Sequence, residues 1–307
     1  MNDSATGAAS GTDPDGVDVF EEHRPLLLGV AYRMLGRVAD AEDVVQEAWL
    51  RWSAADRAAV RAPRAYLVRT TTRLAVDRLR QIASRREAYV GPWLPEPLAT
   101  DVEHTVEHTV TDGAERVMLA ESVSLAVLVV LESLSPLERA VFVLREAFGL
   151  PYGEIAETLD RSEAAVRQLA ARARRHVAER TPRFEVDPEQ RRRLTERFLA
   201  AAVEGDLAGL LAVLAPDARL VGDGGGRAKA PLRIIVGADK VARFLAAISR
   251  TPIPDPEFVP LELNGGPALL VTSEGRPYAV FALEAADGLV RSVYIVSNPE
   301  KIAHLAR

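Results

Sequence analysis

The chain has 307 residues, a mass of 33.3 kDa and a formal net charge of −6. This length predicts two or three compact domains, and the absence of cysteine excludes disulfides and thiolate metal sites. The longest strongly apolar run, 125–131, is too short to span a bilayer, so we expect a cytoplasmic protein with no membrane segment. Residues 1–16 are small and polar and are predicted to be a disordered leader.

Charge is distributed unevenly along the sequence. Residues 56–86 contain nine arginines and two acids, and residues 161–183 contain seven arginines and two acids. Residues 87–122, between them, contain eight acids and one arginine. Two basic segments separated by an acidic one predict a protein that contacts a polyanion at two places.

Residues 17–86 are predicted to form an all-helical domain. Its second helix is expected to begin at Asp40 as the N-cap, and its apolar residues recur on one stripe. The opposite face presents Asp43, Gln46 and Glu47. Such a face is either ordinary solvated surface, with acids favouring the helix N-terminus, or a surface that recognises a basic partner helix.

A third helix, predicted over 63–81, is rich in arginine and has three consecutive threonines. Asp77 is the one acid expected to pair with these arginines, so an anionic partner is favoured over a plain solvated face. Arginines beside hydroxyls and an aromatic suit partly single-stranded DNA. The arginines assigned to this surface are Arg64, Arg69, Arg73, Arg78 and Arg80.

Residues 87–119 are predicted to be a linker. They are acidic, and three prolines between positions 92 and 97 prevent a helix from continuing. Trp93 lies in this proline-rich run. It either covers a nearby core edge or fixes the linker to another domain.

Residues 120–181 are predicted to form a helix-turn-helix domain. A capping box begins one helix at Ser135, and a turn over 160–161 precedes a helix capped by Ser162. The exposed face of that last helix could enter a DNA major groove, although a helical hairpin of an ordinary α protein is the alternative. The residues assigned to this face are Arg161, Ser162, Glu163, Ala165, Arg167, Gln168 and Arg172.

Residues 187–307 predict a separate α+β domain, in which helices are followed by an antiparallel meander. Turn-forming pairs at 265–266, 274–275 and 287–288 separate its strands. His304 is the one histidine of this segment, and the sequence places no pair of acids in a pocket where they could transfer protons. We therefore expect no catalytic residue, no cofactor and no metal site. A pocket for a small molecule is the favoured alternative to catalysis.

Together these segments resemble an extracytoplasmic-function (ECF) sigma factor, with region 2 over 17–86 and region 4 over 120–181. In that family an Asp-x-x-Gln-Glu pattern, matched here by Asp43, Gln46 and Glu47, binds the β′ clamp helices of RNA polymerase. The resemblance implies that the partners are core RNA polymerase, through β′ and the β subunit, and promoter DNA. It also implies that the basic helix opens and reads the −10 element and that the helix-turn-helix reads the −35 element.

Arg73 departs from the family pattern, because many members carry Asn at this position. The −10 preference is therefore not expected to be that of a generic member. A repressor that uses only the helix-turn-helix is an alternative, but it leaves the acidic face of the second helix and the basic helix without a role.

The C-terminal part is similar to the SnoaL-like, NTF2-like domain, a cone-shaped sheet with helices and an internal cavity. Sigma factors of the SigJ-type group carry this extension and share three motifs: Trp-Leu-Pro-Glu-Pro, Asp-Gly-Gly-Gly-Lys and Asn-Pro-Asp-Lys. The matching positions here are Trp93, Leu94, Pro95, Glu96 and Pro97; Asp223, Gly224, Gly225, Gly226 and Arg227; and Asn298, Pro299, Glu300 and Lys301. Arginine for lysine and glutamate for aspartate keep the charge but change the geometry.

In that group the extension is thought to regulate activity in place of a separate anti-sigma protein. The resemblance therefore implies no separate anti-sigma factor for this chain. We expect residues 93–97 to lie against 223–227 and 298–301, which would hold the two DNA-binding domains in a set orientation. A small-molecule ligand of the C-terminal domain is a further expectation.

Overall fold

The computed structural model describes residues 14–86, 89–100, 123–179 and 188–305. Within these ranges the chain forms two helical domains and an α+β domain, which confirms the predicted fold class. The first helix begins at Pro14, so the expectation of a disordered leader is wrong for positions 14–16. The remainder of that leader and residues 87–88 and 101–119 of the linker lie outside the described ranges.

The first helical domain is a three-helix unit. It consists of α1 (Pro14–Leu35), α2 (Val38–Ser53), a 3-10 turn (Arg57–Ala59) and α3 (Pro63–Arg86). Apolar residues at helical spacing on the three helices pack into one core. Trp52 is buried in this core, and its indole N–H donates to the backbone oxygen of Gly16 at 2.7 Å.

The predicted N-cap of α2 is wrong. The helix begins at Val38, and Arg37 is its N-cap residue without a side-chain cap hydrogen bond. The backbone N–H of Val38 instead donates to Oε2 of Glu96, in the linker, at 3.1 Å. The Asp40 carboxylate, predicted to be the cap, instead accepts hydrogen bonds from Arg78 on α3.

The second helical domain contains the helix-turn-helix. Its helices are α4 (Leu125–Leu131), α5 (Pro136–Phe142), which continues into a π-helical turn (Val143–Ala147), α6 (Tyr152–Leu159) and α7 (Glu163–Ala178). The capping box at Ser135 and the cap at Ser162 are confirmed. Asp160 adopts a left-handed φ of 54° and makes the turn between α6 and α7.

The C-terminal domain has a six-stranded sheet with its longer helices on one face and a short C-terminal helix on the other. In chain order the elements are α8 (Pro188–Glu204), α9 (Leu207–Val213), β1 (Leu214–Asp223), β2 (Ile235–Val236), α10 (Ala238–Ile248), β3 (Pro256–Leu263), β4 (Gly266–Ser273), β5 (Arg276–Ala286), β6 (Leu289–Val296), α11 (Pro299–Ile302) and a 3-10 turn (Ala303–Leu305). The strand order is β2-β1-β6-β5-β4-β3, and β3 to β6 form the predicted antiparallel meander. β1 pairs with β6 in parallel, which local turn signals could not indicate.

The two faces of this sheet have different neighbours. Along β5, Ala279 and Phe281 face a core shared with α8 to α10. Val280 and Ala282, on the other face, pack against the linker and against Leu125 of α4. Because side chains alternate along a strand, one sheet connects the interior of its own domain to the second helical domain.

The helical domains are themselves in contact. Buried residues of α1 to α3 and of α4 to α7 belong to one continuous apolar cluster. Among the helices in the described ranges, none combines the length and apolarity that a membrane span needs.

Candidate functional site

The exposed face of α2 carries the three residues assigned to polymerase binding. Asp43, Gln46 and Glu47 are all exposed, whereas the apolar stripe of the helix is buried. Glu47 contacts Arg51 at 3.3 Å, and an exposed pair of this kind costs little to break. These polar groups are therefore accessible to a basic partner surface.

Arg78, assigned to the −10 surface, ties α3 to α2. Its guanidinium lies 2.6 Å from Oδ1 of Asp40 and 3.5 Å from Oδ2 of Asp43. The expectation that Asp77 is the one available acid is therefore wrong, since α2 supplies two more. Asp77 itself pairs with exposed Arg80 at 2.9 Å.

Arg73 contacts the helix-turn-helix domain. Its Nε donates to the backbone oxygen of Thr158 at 2.8 Å, and a second nitrogen donates to that of Glu157 at 3.4 Å. Both oxygens lie in the last turn of α6, where the helix dipole favours a cation. Arg64 and Arg69 line an adjoining cleft of about 250 Å³ between α3 and α6. One side of α3 therefore faces the second helical domain. The arrangement in which the two helical domains are in contact is here called the closed arrangement.

The face of α7 that the sequence assigned to the −35 element is turned to solvent. Val166 and Leu169 are buried, as predicted, and Ala165 is half-buried. The other assigned residues are exposed: Arg161, Ser162, Glu163, Arg167, Gln168 and Arg172. Arg167 pairs with exposed Glu163 and Arg172 with half-buried Glu138, and both arginines are themselves exposed, so they can exchange these carboxylates for phosphate or base contacts.

A buried arginine that sequence reasoning missed joins the two helical domains. Arg139 on α5 is 2% exposed. One of its nitrogens donates to the backbone oxygen of Met34, on α1, at 2.6 Å and to Oε1 of Glu132 at 2.7 Å. In the sequence Arg139 is one charged residue within a capped helix, and no local pattern marks it as buried.

A buried polar cluster, here called the Asp223 network, holds the linker against the C-terminal domain. Asp223 ends β1 and is fully buried, and Lys301 is 1% exposed. Lys301 Nζ lies 2.7 Å from Oδ2 of Asp223 and also donates to the backbone oxygen of Leu94. The backbone N–H of Leu94 donates to the same Oδ2 at 2.8 Å. Tyr89 donates its hydroxyl hydrogen to Oδ1, and Asn298 donates to the Tyr89 oxygen at 3.0 Å.

The charges of this network neutralise each other inside the protein. A buried ion pair is only marginally favourable when intact, but removing one partner leaves an uncompensated buried charge. Burial, together with the Asp223 carboxylate, raises the pKa of Tyr89, so its hydroxyl stays protonated and donates at neutral pH. The network therefore anchors the backbone of Leu94 to the C-terminal domain.

Trp93 lies between the first helical domain and the C-terminal domain. Its ring centroid is 3.8 Å from Nζ of Lys301, a cation–π contact. The indole also lies next to Gly36 (φ 70°), where an added Cβ would be 2.9 Å from the ring. Gly225 has a φ of 58°, and a Cβ there would collide with the Asn298 amide. Both glycines are needed because other groups approach their backbone closely.

The remaining motif residues surround this network. Gly224 accepts backbone hydrogen bonds from Arg227 at 2.9 Å and from Ala228 at 3.0 Å, which forms the turn after β1. Gly226 lies close to Val90 of the linker. Arg227 pairs with Glu300 at 2.7 Å on the surface, so the two conservative replacements contact each other. Pro299 is the first residue of α11, after Asn298 as N-cap.

A second polar cluster connects the linker to α1 and to the sheet. Tyr32 donates to the backbone oxygen of Glu96 at 3.0 Å and accepts from Nδ2 of Asn264 at 3.2 Å. Leu98 N–H donates to Oδ1 of Asn264 at 3.0 Å, and Glu96 N–H donates to the backbone oxygen of Gly36 at 2.8 Å. Burial raises the pKa of Tyr32 above its ordinary value. Glu96 thus connects the linker to the start of α2 through the Val38 N–H and to the C-terminal domain through His304, whose Nδ1 lies 3.6 Å from Oε1 of Glu96.

Pro95 and Pro97 are buried in this junction, and the backbone oxygen of Pro97 lies 2.9 Å from Nε2 of His304. The structure thus brings residues 93–97 together with Asp223 and with the segment 298–301.

The sequence did not indicate the contributions of Tyr89, Tyr32 or Asn264 to these two polar clusters. An aromatic just before the Gly-Pro of the linker was the available signal for Tyr89. Within the described ranges there is no cluster of three or more His, Asp or Glu side chains that could hold a metal ion.

Comparison with known proteins identifies both helical domains. Family models for Sigma-70 region 2 and Sigma-70 region 4 match residues 19–86 and 124–177. The ECF RNA polymerase sigma factor SigJ of Mycobacterium tuberculosis is 40% identical over 295 residues, which covers 93% of this chain and 92% of SigJ. The probable ECF RNA polymerase sigma factor SigI of the same species is 35% identical over 283 residues, covering 92% and 93%. The crystal structure of M. tuberculosis SigJ matches with a TM-score of 0.71 and 36% identity, covering 93% of this chain and 98% of that one.

Proposed function

Because the chain belongs to the family of extracytoplasmic-function RNA polymerase sigma factors, we propose a role for each surface described above. A member of this family binds core RNA polymerase, recognises promoter DNA and supports transcription initiation, and it is not an enzyme. The family acts with the cytoplasmic polymerase, and we place this protein in that compartment.

The α2 face with Asp43, Gln46 and Glu47 binds the β′ clamp helices of core polymerase, and other parts of the chain contact the β subunit. Support comes from the exposure of all three side chains on one helix face. Lysine at all three positions should weaken copurification with core polymerase at least about tenfold, because attraction to a basic surface becomes repulsion. Unchanged copurification would contradict the assignment of this α2 face to polymerase binding.

The arginines of α3 contact the −10 element, and the α7 face contacts the −35 element. Arg73 and Arg78 now make intramolecular contacts, so they reach DNA only after those contacts open. The two elements are about 25 base pairs apart, which is roughly 85 Å along B-DNA. Domains of this size in contact have centres only about 25 Å apart. The closed arrangement therefore has to open on a promoter.

The C-terminal domain modulates this opening by holding the linker between the two DNA-binding domains. The observation that carries the proposal is the buried pair of Asp223 and Lys301 on the backbone of Leu94. Since the contacts that keep the sigma domains closed lie within one chain, no separate anti-sigma factor is needed. The C-terminal domain is regulatory and has no catalytic role.

Runoff transcription with purified core polymerase and a cognate promoter tests this proposal. Asp223→Asn keeps the shape of the side chain but removes the charge that Lys301 requires, so the linker loosens and transcript yield should rise about threefold or more. Asp239→Asn, in an exposed pair with Arg243, is the matched control and should leave the yield unchanged. Equal yields from all three proteins would contradict regulation through the linker.

A further inference from the structure

The C-terminal domain contains a large cavity between its helices and its sheet. Its volume is about 630 Å³, well within the range of small-molecule sites. Protein interiors rarely leave voids larger than a water molecule, so packing does not explain a space of this size. The cavity is therefore a candidate binding site.

The lining is apolar over most of its surface. Aliphatic and aromatic side chains from α8, α10 and four strands form the walls; they include Leu199, Phe244, Ile248, Leu269, Phe281 and Ile295. Three large apolar residues at the cavity, Val203, Phe258 and Tyr278, are more than 40% exposed. An apolar ligand would cover surface that is otherwise left to water.

Of the described residues that line the cavity, Lys229 alone carries a charge, and it is exposed. The other polar side chains in the lining are the hydroxyls of Ser249, Thr251, Tyr278 and Ser297. A single cation in an otherwise uncharged lining matches one carboxylate, whereas a cationic ligand would meet a like charge there. We propose that this cavity binds an apolar monocarboxylic acid, with its tail between helices and sheet and its carboxylate at Lys229.

The cavity adjoins the Asp223 network. Ser297 N–H donates to the backbone oxygen of Asp223 at 2.8 Å, and its hydroxyl donates to that of Lys229 at 3.3 Å. Ser297 also immediately precedes Asn298, a member of the network. A ligand that orders Ser297 and Lys229 strengthens the hold on the linker and lowers transcription. This regulatory part rests on the proposed function, whereas the binding site does not.

Isothermal titration of the full chain with decanoate, below its micelle concentration, tests the site directly. We expect saturable binding at one site per chain, weakened about fivefold by Lys229→Gln and unchanged by Lys240→Gln, an exposed lysine away from the cavity. Decanol, which lacks the charge, should bind the wild type and Lys229→Gln equally. Absence of saturable decanoate binding, or equal losses in both lysine variants, would overturn the proposal.

Filling the cavity gives an independent test. Ala202 lines it, and Ala202→Phe should abolish decanoate and decanol binding alike, provided that circular dichroism shows the native fold. In runoff transcription, saturating decanoate should lower wild-type yield about fivefold and leave Ala202→Phe unaffected. Binding without any change in transcription would overturn the regulatory part only. The ligand-free comparison of Asp223→Asn with wild type tests the proposed function separately.

Discussion

Two of the contacts that hold the domains of this sigma factor together are built differently. Between α3 and α6, Arg73 donates to two backbone oxygens beside an open cleft. Between linker and C-terminal domain, Asp223 and Lys301 form a buried pair inside an apolar surround. Exposed polar contacts exchange readily for water or phosphate, whereas a buried pair does not. We infer that the first contact opens during promoter binding, together with the apolar cluster and the Arg139 contact that also join the helical domains, and that the second contact persists and governs this opening.

The largest effect is expected from breaking the buried pair. Asp223→Ala removes the carboxylate that lies 2.7 Å from the buried Lys301 ammonium, so the free energy of unfolding of the C-terminal domain should fall by about 3–5 kcal/mol. Urea unfolding monitored by circular dichroism measures this. The double variant Asp223→Leu with Lys301→Met should recover most of the loss, and a double variant as unstable as the single one would contradict this explanation.

An intermediate effect is expected at the contact between the helical domains. Arg139→Met removes the donor to the Met34 oxygen and leaves Glu132 without this buried counter-charge, at a cost of about 2–3 kcal/mol. The helical domains should then exchange amide hydrogens faster, with the C-terminal sheet unaffected. Arg192→Met, in an exposed pair, is the control, and equal exchange in both variants would show that Arg139 does not couple the domains.

A smaller effect on stability is expected at the interface that opens. Arg73→Ala should cost less than about 1 kcal/mol, because water can satisfy the freed carbonyls of α6. The same change should increase hydrogen exchange in the last turn of α6. A loss as large as that of Asp223→Ala would mean that the two interfaces are equally strong.

At neutral pH the smallest expected effect is that of the Tyr32 hydroxyl, whose contribution to the free energy of unfolding depends on pH. Burial raises the pKa of this hydroxyl in the folded protein, so its contribution is fully present below pH 10 and is lost as pH rises toward the folded value. Wild type should lose up to about 1.4 kcal/mol per pH unit above pH 10 relative to Tyr32→Phe. Parallel stability curves for the two proteins between pH 9 and 11 would contradict this linkage.

Local features of this fold could be predicted from sequence, and contacts distant along the chain could not. The helix-turn-helix was predictable because its caps at Ser135 and Ser162 and the apolar positions Val166 and Leu169 act within a few residues. The start of α2 was not, because Glu96, distant in sequence, satisfies the first helical N–H. The parallel pairing of β1 with β6 also leaves no local signal.

The candidate site shows the same limit. Family resemblance indicated the three motif segments, but the residue chemistry alone gave no reason for Asp223 to meet Lys301. Tyr89, Tyr32 and Asn264 each contact partners more than a hundred residues away or in another domain, so no periodicity marks them. Arg78 was predicted to be available for DNA, yet two acids of α2 pair with it, because helix packing decides which charges meet.

The most direct test is a distance measurement across both interfaces in the free protein and on a promoter. Since the chain has no cysteine, spin labels can be placed at exposed Ser53 on α2 with Ala178 on α7, or with Ala247 on α10. Electron spin resonance should show the first distance increasing by about 20 Å or more when core polymerase and promoter DNA bind, with the second nearly unchanged. A first distance that stays the same, or a second that lengthens as much, would contradict the account.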